Sequence, residues 1–233
     1  MLLVILTLTL SKVFSQELHS EELKRFYHKD YNSFSDYLQR NVYFPPEAFN
    51  CTGVLLAGLT LSPQGDIVNV FSLNSLTSAI DDQILDLFES TSEYWKAKPI
   101  GEQSIKNSIV VIPIIFRLKN TEPVINEDNI KLKLEEPIEF TAMAGQEQMS
   151  ASGYIKTEKL FKTVNKLVLK GKYERAEEIV NELLRRDPLN TEYYSKLIEI
   201  EIKIGNTEDA CKNIQFVKTY LIKQPEEIGI NCN

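Results

Sequence analysis

The sequence predicts an α+β protein in which a small antiparallel three-stranded sheet packs on helices and is followed by a linker and an all-α helical hairpin domain. Three observations carry this prediction. Two apolar, strand-like runs flank a Pro-Gly turn, a third such run follows an amphipathic helix, and the last third of the chain repeats at a spacing of 34 residues. The composition agrees, because 43% hydrophobic and 25% charged residues in a chain of 233 are typical of one or two compact units.

The charge balance argues against general binding to nucleic acid. The chain has 26 Lys and Arg against 33 Asp and Glu, a formal net charge of −7. Attraction to phosphate backbones or to anionic lipid needs clustered Lys and Arg, so no nucleic-acid partner is predicted. His19 and His28 are the two histidines, and both precede the region predicted to fold, which disfavours histidine-based catalysis and metal binding.

Residues 1–15 are predicted to be a signal peptide that is cleaved after Ser15. The apolar run 2–10 is too short to span a bilayer, which needs about 20 residues. Val13 and Ser15 suit the −3 and −1 positions of a signal-peptidase site. We therefore expect the mature chain to be exported.

A buried N-terminal strand is the alternative for this segment, because Thr7 and Thr9 alternate with leucines.

Export would place the chain where disulfides persist. Of the three cysteines, Cys211 and Cys232 are the predicted pair, since both lie in the last helical region with 20 residues between them, a loop whose closure stabilises by about 3 kcal/mol. Cys51 precedes a predicted strand and is left over.

Charge and turn residues divide the mature chain into four predicted parts. They are an N-terminal extension (16–33), the α+β domain (34–118), an acidic linker (119–153) and the helical domain (154–233). The linker prediction rests on its 3 basic against 7 acidic residues and its lack of a sustained helical period. Apolar residues alternate with Lys over 130–134, so a short strand in the linker is the alternative there.

The α+β domain is predicted to begin with a helix. Phe34, Tyr37 and Leu38 recur at helical spacing. Pro45 and Pro46 then favour an extended segment, because proline disfavours the α region in the residue before it.

A hairpin is predicted next. The apolar runs 54–61 and 67–73 flank a turn that contains Pro63 and Gly65, and Gly53 precedes the first run. Both runs have the length typical of strands.

A second helix and a third strand complete the domain. Ile80, Ile84 and Phe88 share one helical face, and Trp95 follows the helix. The third strand covers 109–118, and its proline indicates a sheet edge or a bulge.

Four features in this order resemble the TonB C-terminal domain over about residues 34–118. They are Phe44-Pro45-Pro46-Glu47-Ala48, Gly53, Pro63-Gln64-Gly65-Asp66, and Trp95 ahead of Ile112-Pro113-Ile114-Ile115-Phe116. The resemblance implies a periplasmic, non-enzymatic domain that adds an extended peptide of an outer-membrane receptor or transporter to its last strand, as in TonB-dependent transmembrane transport and energy transduction. No membrane helix or Pro-rich, Lys-rich spacer precedes Phe34, so we expect a stand-alone relative or an accessory protein that uses the same fold.

An open edge strand is the physical basis of such binding, because its unpaired N–H and C=O groups can hydrogen-bond an extended partner. The alternative is that this strand is core and its edge is covered. The predicted edge residues are Val110, Val111, Ile112, Ile114, Ile115, Phe116, Arg117 and Leu118.

The last third of the chain resembles the tetratricopeptide repeat family. A shift of 34 residues pairs Gly171 with Gly205 and Ala176 with Ala210. The glycines permit a tight turn between two helices, and the alanines let the helices pack closely. The resemblance implies a second hypothesis, a periplasmic scaffold or adaptor whose helical repeats bind the partner, although two repeats offer little concave surface.

The sequence predicts no enzyme, cofactor or metal site, because it lacks phosphate-loop, paired-histidine and nucleophile-elbow motifs. The alternative is a periplasmic enzyme that uses carboxylates, which would require two or more acids with raised pKa values in one deep pocket. The adjacent carboxylates Asp81-Asp82 and Glu135-Glu136 are interpreted as a helix cap and a solvated linker. A protein partner is predicted, with at most an indirect association with the membrane through that partner. The oligomeric state is not predicted.

Overall fold

The computed structural model describes residues 22–45, 51–98, 106–118, 121, 123–141, 155–224 and 232. In these residues the chain is α+β, with a four-stranded mixed sheet and six α-helices. The general α+β class that the sequence predicts is therefore confirmed. The chain divides into two compact units, of which the first includes residues 56–114 and 133–140 and the second includes 115–132 and the helices after residue 155.

The helices and strands have the following bounds. The helices are α1 (Phe34–Asn41), α2 (Ser78–Glu89), α3 (Thr157–Leu169), α4 (Tyr173–Arg186), α5 (Thr191–Ile204) and α6 (Thr207–Tyr220). The strands are β1 (Gly53–Leu61), β2 (Ile67–Ser72), β3 (Ser108–Arg117) and β4 (Ile138–Thr141), in the sheet order β2-β1-β3-β4.

The hairpin between β1 and β2 forms as its turn residues predict. The two strands are antiparallel, with Ala57 opposite Ser72. Gly65 has a φ of 99°, and a Cβ atom there would lie 2.9 Å from the backbone oxygen of Trp95. The turn therefore requires glycine for both its backbone conformation and its close approach to Trp95.

Aromatic side chains form the centre of the first unit. Phe34 packs on Trp95 and on Phe88 with ring centroids 5.1 Å apart in each case. Phe26, from the predicted extension, is buried against Phe34 and Trp95, so this part of the extension belongs to the core. Pro45 is buried, whereas Pro46 lies outside the described residues.

The sheet contains a strand that the sequence did not predict. β4 follows β3 in the sheet order and comes from the segment predicted as a linker. Just before β4, Leu134 forms a parallel bridge with Val111 of β3, whereas β1 and β2 are antiparallel. The prediction of three antiparallel strands is therefore wrong.

The prediction of an open edge at β3 is also wrong. β3 lies between β1 and β4, so its backbone groups face strands of the same chain on both sides. All of the predicted edge residues are buried except Arg117, which is half-buried. They are Val110, Val111, Ile112, Ile114, Ile115, Phe116, Arg117 and Leu118.

Part of the predicted linker contacts the helical repeats of the second unit. The backbone N–H of Val124 donates to the oxygen of Arg186 (2.8 Å), and that of Lys131 donates to the oxygen of Tyr220 (2.7 Å). Ile130 forms a bridge with Leu221. Residues 123–131 are therefore an ordered part of the helical unit.

The helical unit consists of two helix pairs with the predicted spacing. α3 and α5 begin 34 residues apart, at Thr157 and Thr191, and α4 and α6 begin 34 residues apart, at Tyr173 and Thr207. The predicted turn glycines have positive φ values, 65° at Gly171 and 84° at Gly205. Each helix packs on the next.

The remaining predicted structural residues of this unit are also in place. Ala176 and Ala210 are fully buried, as close packing of the helices requires. Cys211 of α6 and Cys232 form a disulfide with their Cα atoms 5.4 Å apart, which confirms the predicted pair. Cys51, outside this disulfide, is half-buried just before β1.

These observations do not test the predicted signal peptide. Residues 1–15 lie outside the described residues, so the signal peptide and export stay predictions. Within the described ranges, no helix has the length and apolarity needed to cross a membrane.

Candidate functional site

The candidate site is a groove of about 810 Å³ in the helical unit, where the first helices of the two pairs meet. α3 supplies one wall and α5 supplies the other. The lining residues are Phe161, Asn165, Thr191, Glu192, Ser195, Lys196, Glu199, Ile202, Lys203 and Gln224.

Helical geometry explains why these residues line the groove together. On α5, Glu192, Ser195, Glu199 and Ile202 recur every three or four positions, which places them on one helical face. Asn190 fixes the start of this face, because its side-chain oxygen accepts hydrogen bonds from the backbone N–H groups of residues 192 and 193.

The groove carries opposite charges along its length. Lys196 and Glu199 form an ion pair of 2.6 Å at its centre. Glu192 lies in the first turn of α5 and Lys203 in the last, and neither side chain forms an ion pair with a described residue. The groove therefore has a negatively charged side chain at one end and a positively charged side chain at the other.

Asn165 adds a peptide-like hydrogen-bonding group. Its side-chain amide forms no hydrogen bond with the part of the chain that the structure describes. It therefore offers one acceptor and two donors to a ligand. Four residues away on the same helix, Phe161 packs against Tyr193 with ring centroids 5.2 Å apart and the rings tilted by 48°, and it supplies an apolar surface.

A buried carboxylate lies on another face of α5. Glu201 is 4% exposed, and both of its oxygens accept from the Asn213 amide at 2.8 and 3.0 Å. Burial, and to a smaller extent the charges of Glu177 and Asp209, raise the pKa of Glu201 to about 7 against the opposing Asn213 hydrogen bonds. Because Glu201 does not line the groove, the structure does not combine it with Glu192 or Glu199 into one acid–base site.

The two pairs of adjacent carboxylates have different fates. Asp81, in the first turn of α2, accepts hydrogen bonds from the backbone N–H of Leu76 (3.0 Å) and from the Ser75 hydroxyl. The helix cap is instead Thr77, whose side chain accepts from the backbone N–H of Ile80 (3.3 Å). Glu135 is 5% exposed, so its interpretation as a solvated linker residue is wrong. Within the described ranges, no cluster of His, Cys, Asp and Glu is placed to hold a metal ion.

The groove was missed by reasoning from the sequence. That reasoning singled out residues of the turns and close helix contacts, such as Gly171 and Ala210, and these do not line the groove. The spacing of Glu192, Ser195 and Glu199 was the signal that could have located it, but a polar helical face is usually only solvated.

Comparison with known proteins identifies no relative. No protein-family model matches the sequence, and neither the curated proteins nor the solved structures include a significant match.

Proposed function

We propose that the chain is a non-enzymatic interaction protein that binds an extended segment of a protein partner in the groove between α3 and α5. The groove itself is the observation that supports this function most directly, because it combines concavity with an apolar wall, a hydrogen-bonding amide and charges at both ends. The resemblance to tetratricopeptide repeats supports the same proposal.

The size and charge of the groove define the partner segment. α5 rises by about 18 Å between Thr191 and Lys203, which is the length of about five residues of extended chain. A segment with a basic group near Glu192 and an acidic group near Lys203 complements the two ends. Asn165 is positioned to hydrogen-bond its backbone.

The proposed location of this interaction is the periplasm. The signal-like sequence of residues 1–15 supports export, and the disulfide between Cys211 and Cys232 suits an oxidising compartment.

The test of the groove uses the full chain. We expect the double variant Asn165→Ala, Lys203→Glu to bind its partner with affinity lower by about tenfold or more, since it loses the amide and reverses one end charge. Affinity is measured after partners are captured with the unmodified chain.

Lys218→Glu is the matched control. Like Lys203, Lys218 lies in the last turn of its helix, so reversing its charge has a similar effect on the interaction with the helix dipole. Unlike Lys203, Lys218 lies outside the groove. Equal affinity of the double variant and the unmodified chain would reject the groove as the binding site.

A second candidate keeps the strand addition implied by the TonB resemblance but assigns it to β2. Among the described residues, β2 ends the sheet and has a strand on one side only. Its sequence, IVNVFS, has no charge, and Val68 is 56% exposed. Edge strands are usually protected by charges or proline, so an uncharged exposed edge favours pairing with another strand.

The register of β2 with β1 determines which backbone groups of β2 point away from β1. The N–H of Leu73 donates to the oxygen of Leu56 on β1 (2.8 Å). Because the direction of hydrogen bonding alternates along an antiparallel strand, the N–H and C=O groups of Val70 and Ser72 point away from β1.

Val70→Pro tests this second candidate. Proline removes an outward donor while the donors facing β1 remain, so strand addition at β2 should weaken by about tenfold or more. Trp95 fluorescence checks that the sheet is still folded. Loss of binding in Val70→Pro together with full binding in the groove variant would favour β2 over the groove.

A further inference from the structure

The segment that covers β3 is short. Residues 133–141, called the strap from here on, contain β4, which is four residues long. Within the strap, the backbone N–H of Glu135 donates to the oxygen of Val111 at 2.8 Å, and Leu134 forms a bridge with Val111. Ile138, at 2% exposed, anchors the strap by burial.

An ionisable side chain is buried at the junction of the strap and β3. Glu135 is 5% exposed, and its Oε2 atom has no hydrogen-bond partner among the described residues. A buried carboxylate oxygen without a partner destabilises the structure that holds it, whereas the neutral acid is far less unfavourable.

Charged groups near Glu135 act on its ionisation in both directions, because Glu22 and Glu136 disfavour the ionised form whereas Lys133 favours it. Glu22 acts on it from the N-terminal segment, and Glu136 and Lys133 act from the strap itself. Glu22 is bound by Lys98 (2.6 Å) and Arg25 (3.1 Å). Burial opposes the ionisation of Glu22, but these hydrogen bonds outweigh it and lower its pKa, so Glu22 is an anion at neutral pH.

The balance of these effects raises the pKa of Glu135 to about 7. Burial is the largest cause, the charges of Glu22 and Glu136 act in the same direction, and Lys133 opposes them. Since Lys133 is exposed, its charge is screened by water.

We propose that the strap is a pH-sensitive cover of β3, attached when Glu135 is protonated and loosened when Glu135 ionises. Its release uncovers the backbone groups of β3 that pair with β4. This property is independent of the proposed groove and applies to another unit of the chain.

The direction of the pH dependence follows from proton binding. When the strap is attached, Glu135 binds its proton more tightly than when the strap is released. In the released state its pKa returns to the ordinary value near 4.5. Attachment is therefore strongest below pH 4.5, weakens as the pH rises towards 7, and changes little above that.

Amide hydrogen exchange of the full chain measures strap release. Exchange of the strap amides is followed from pH 5 to pH 8 and divided by the intrinsic exchange rate at each pH. We expect their protection to fall by about 10- to 100-fold over this range. Constant protection in the unmodified chain would overturn the proposal.

Three variants separate Glu135 from other titrating groups. Glu135→Gln should remove the pH dependence of strap protection, whereas Glu136→Gln, at the exposed neighbouring position, should retain it. Glu22→Gln removes the facing charge and should shift the fall in protection to lower pH, even if Glu135→Gln does not fold. An unchanged pH profile in Glu22→Gln, or an unchanged fall in Glu135→Gln, would contradict the proposal.

Discussion

Asn129 is a single buried amide that joins three parts of the helical unit. It is 2% exposed, and its side-chain nitrogen donates to the oxygen of Leu189 and to the Thr191 hydroxyl. Its side-chain oxygen accepts from the backbone N–H of Lys223 at 2.9 Å. These bonds connect residues 123–131 with the start of α5 and with the chain after α6.

Removal of this amide should destabilise the helical unit. We expect Asn129→Ala to lower the free energy of unfolding by about 1–3 kcal/mol, because the groups that it bonds lose their partners. Urea unfolding monitored by far-UV circular dichroism provides the value. Asn126→Ala, three residues earlier and outside this network, is the control, and equal stability of the two variants would refute the role of Asn129.

The roles of individual buried polar residues could not be predicted from the sequence. Asn129 and Glu135 both lie in an acidic stretch without a sustained helical period, which is typical of a solvated linker. Their burial depends on contacts with residues distant in the chain, such as Leu189 and Val111. Local patterns contain no information about such pairs.

At the scale of elements, local patterns predicted helices and the hairpin well. The hairpin is specified by Gly65 and its flanking apolar runs, and the helices of the repeats are specified by their apolar spacing and turn glycines. β4 was missed because it has four residues and follows a proline, so it has too few positions for alternation to be recognised. The edge prediction for β3 failed for the same reason, since β4 covers that edge.

The disulfide is an element-scale contribution to stability. It connects α6 with Cys232 and closes a loop of about 20 residues. We expect Cys211→Ser to lower the free energy of unfolding by about 3 kcal/mol, because the unfolded chain regains the freedom of this loop. Urea unfolding measures the change.

Cys51→Ser is the control for this experiment, since Cys51 lies outside the disulfide. Treatment of the unmodified chain with a thiol reductant should reproduce the effect of Cys211→Ser. A reduced chain as stable as the oxidised one would contradict the structural role of the bond.

At the scale of the whole molecule, the division into two parts could be predicted from the sequence. The distant segments that pack onto each part could not. The sequence indicated an α+β region and a repeated helical region with an acidic segment between them. In the structure, residues 123–131 complete the helical unit and the strap completes the sheet. In both parts, the added segment contacts residues far away in the sequence, as Lys131 does with Tyr220.

The two units also differ in what they present to a partner. The helical unit has a concave groove with charges at both ends, and β2 offers an uncharged edge in the described part of the sheet. β3, the strand that the TonB resemblance indicates, pairs on both sides within the chain. The groove therefore requires no rearrangement before binding, whereas β3 requires release of the strap.

Site-specific photo-crosslinking in cells that express the full chain tests the groove most directly. A photoreactive residue is placed at Ser195, in the groove, or at Lys218, which is exposed on α6 outside it. The proposed function predicts a discrete protein adduct from position 195 that is lost in Lys203→Glu, and no such adduct from position 218. The same adducts from both positions, or an adduct from position 195 that persists in Lys203→Glu, would contradict it.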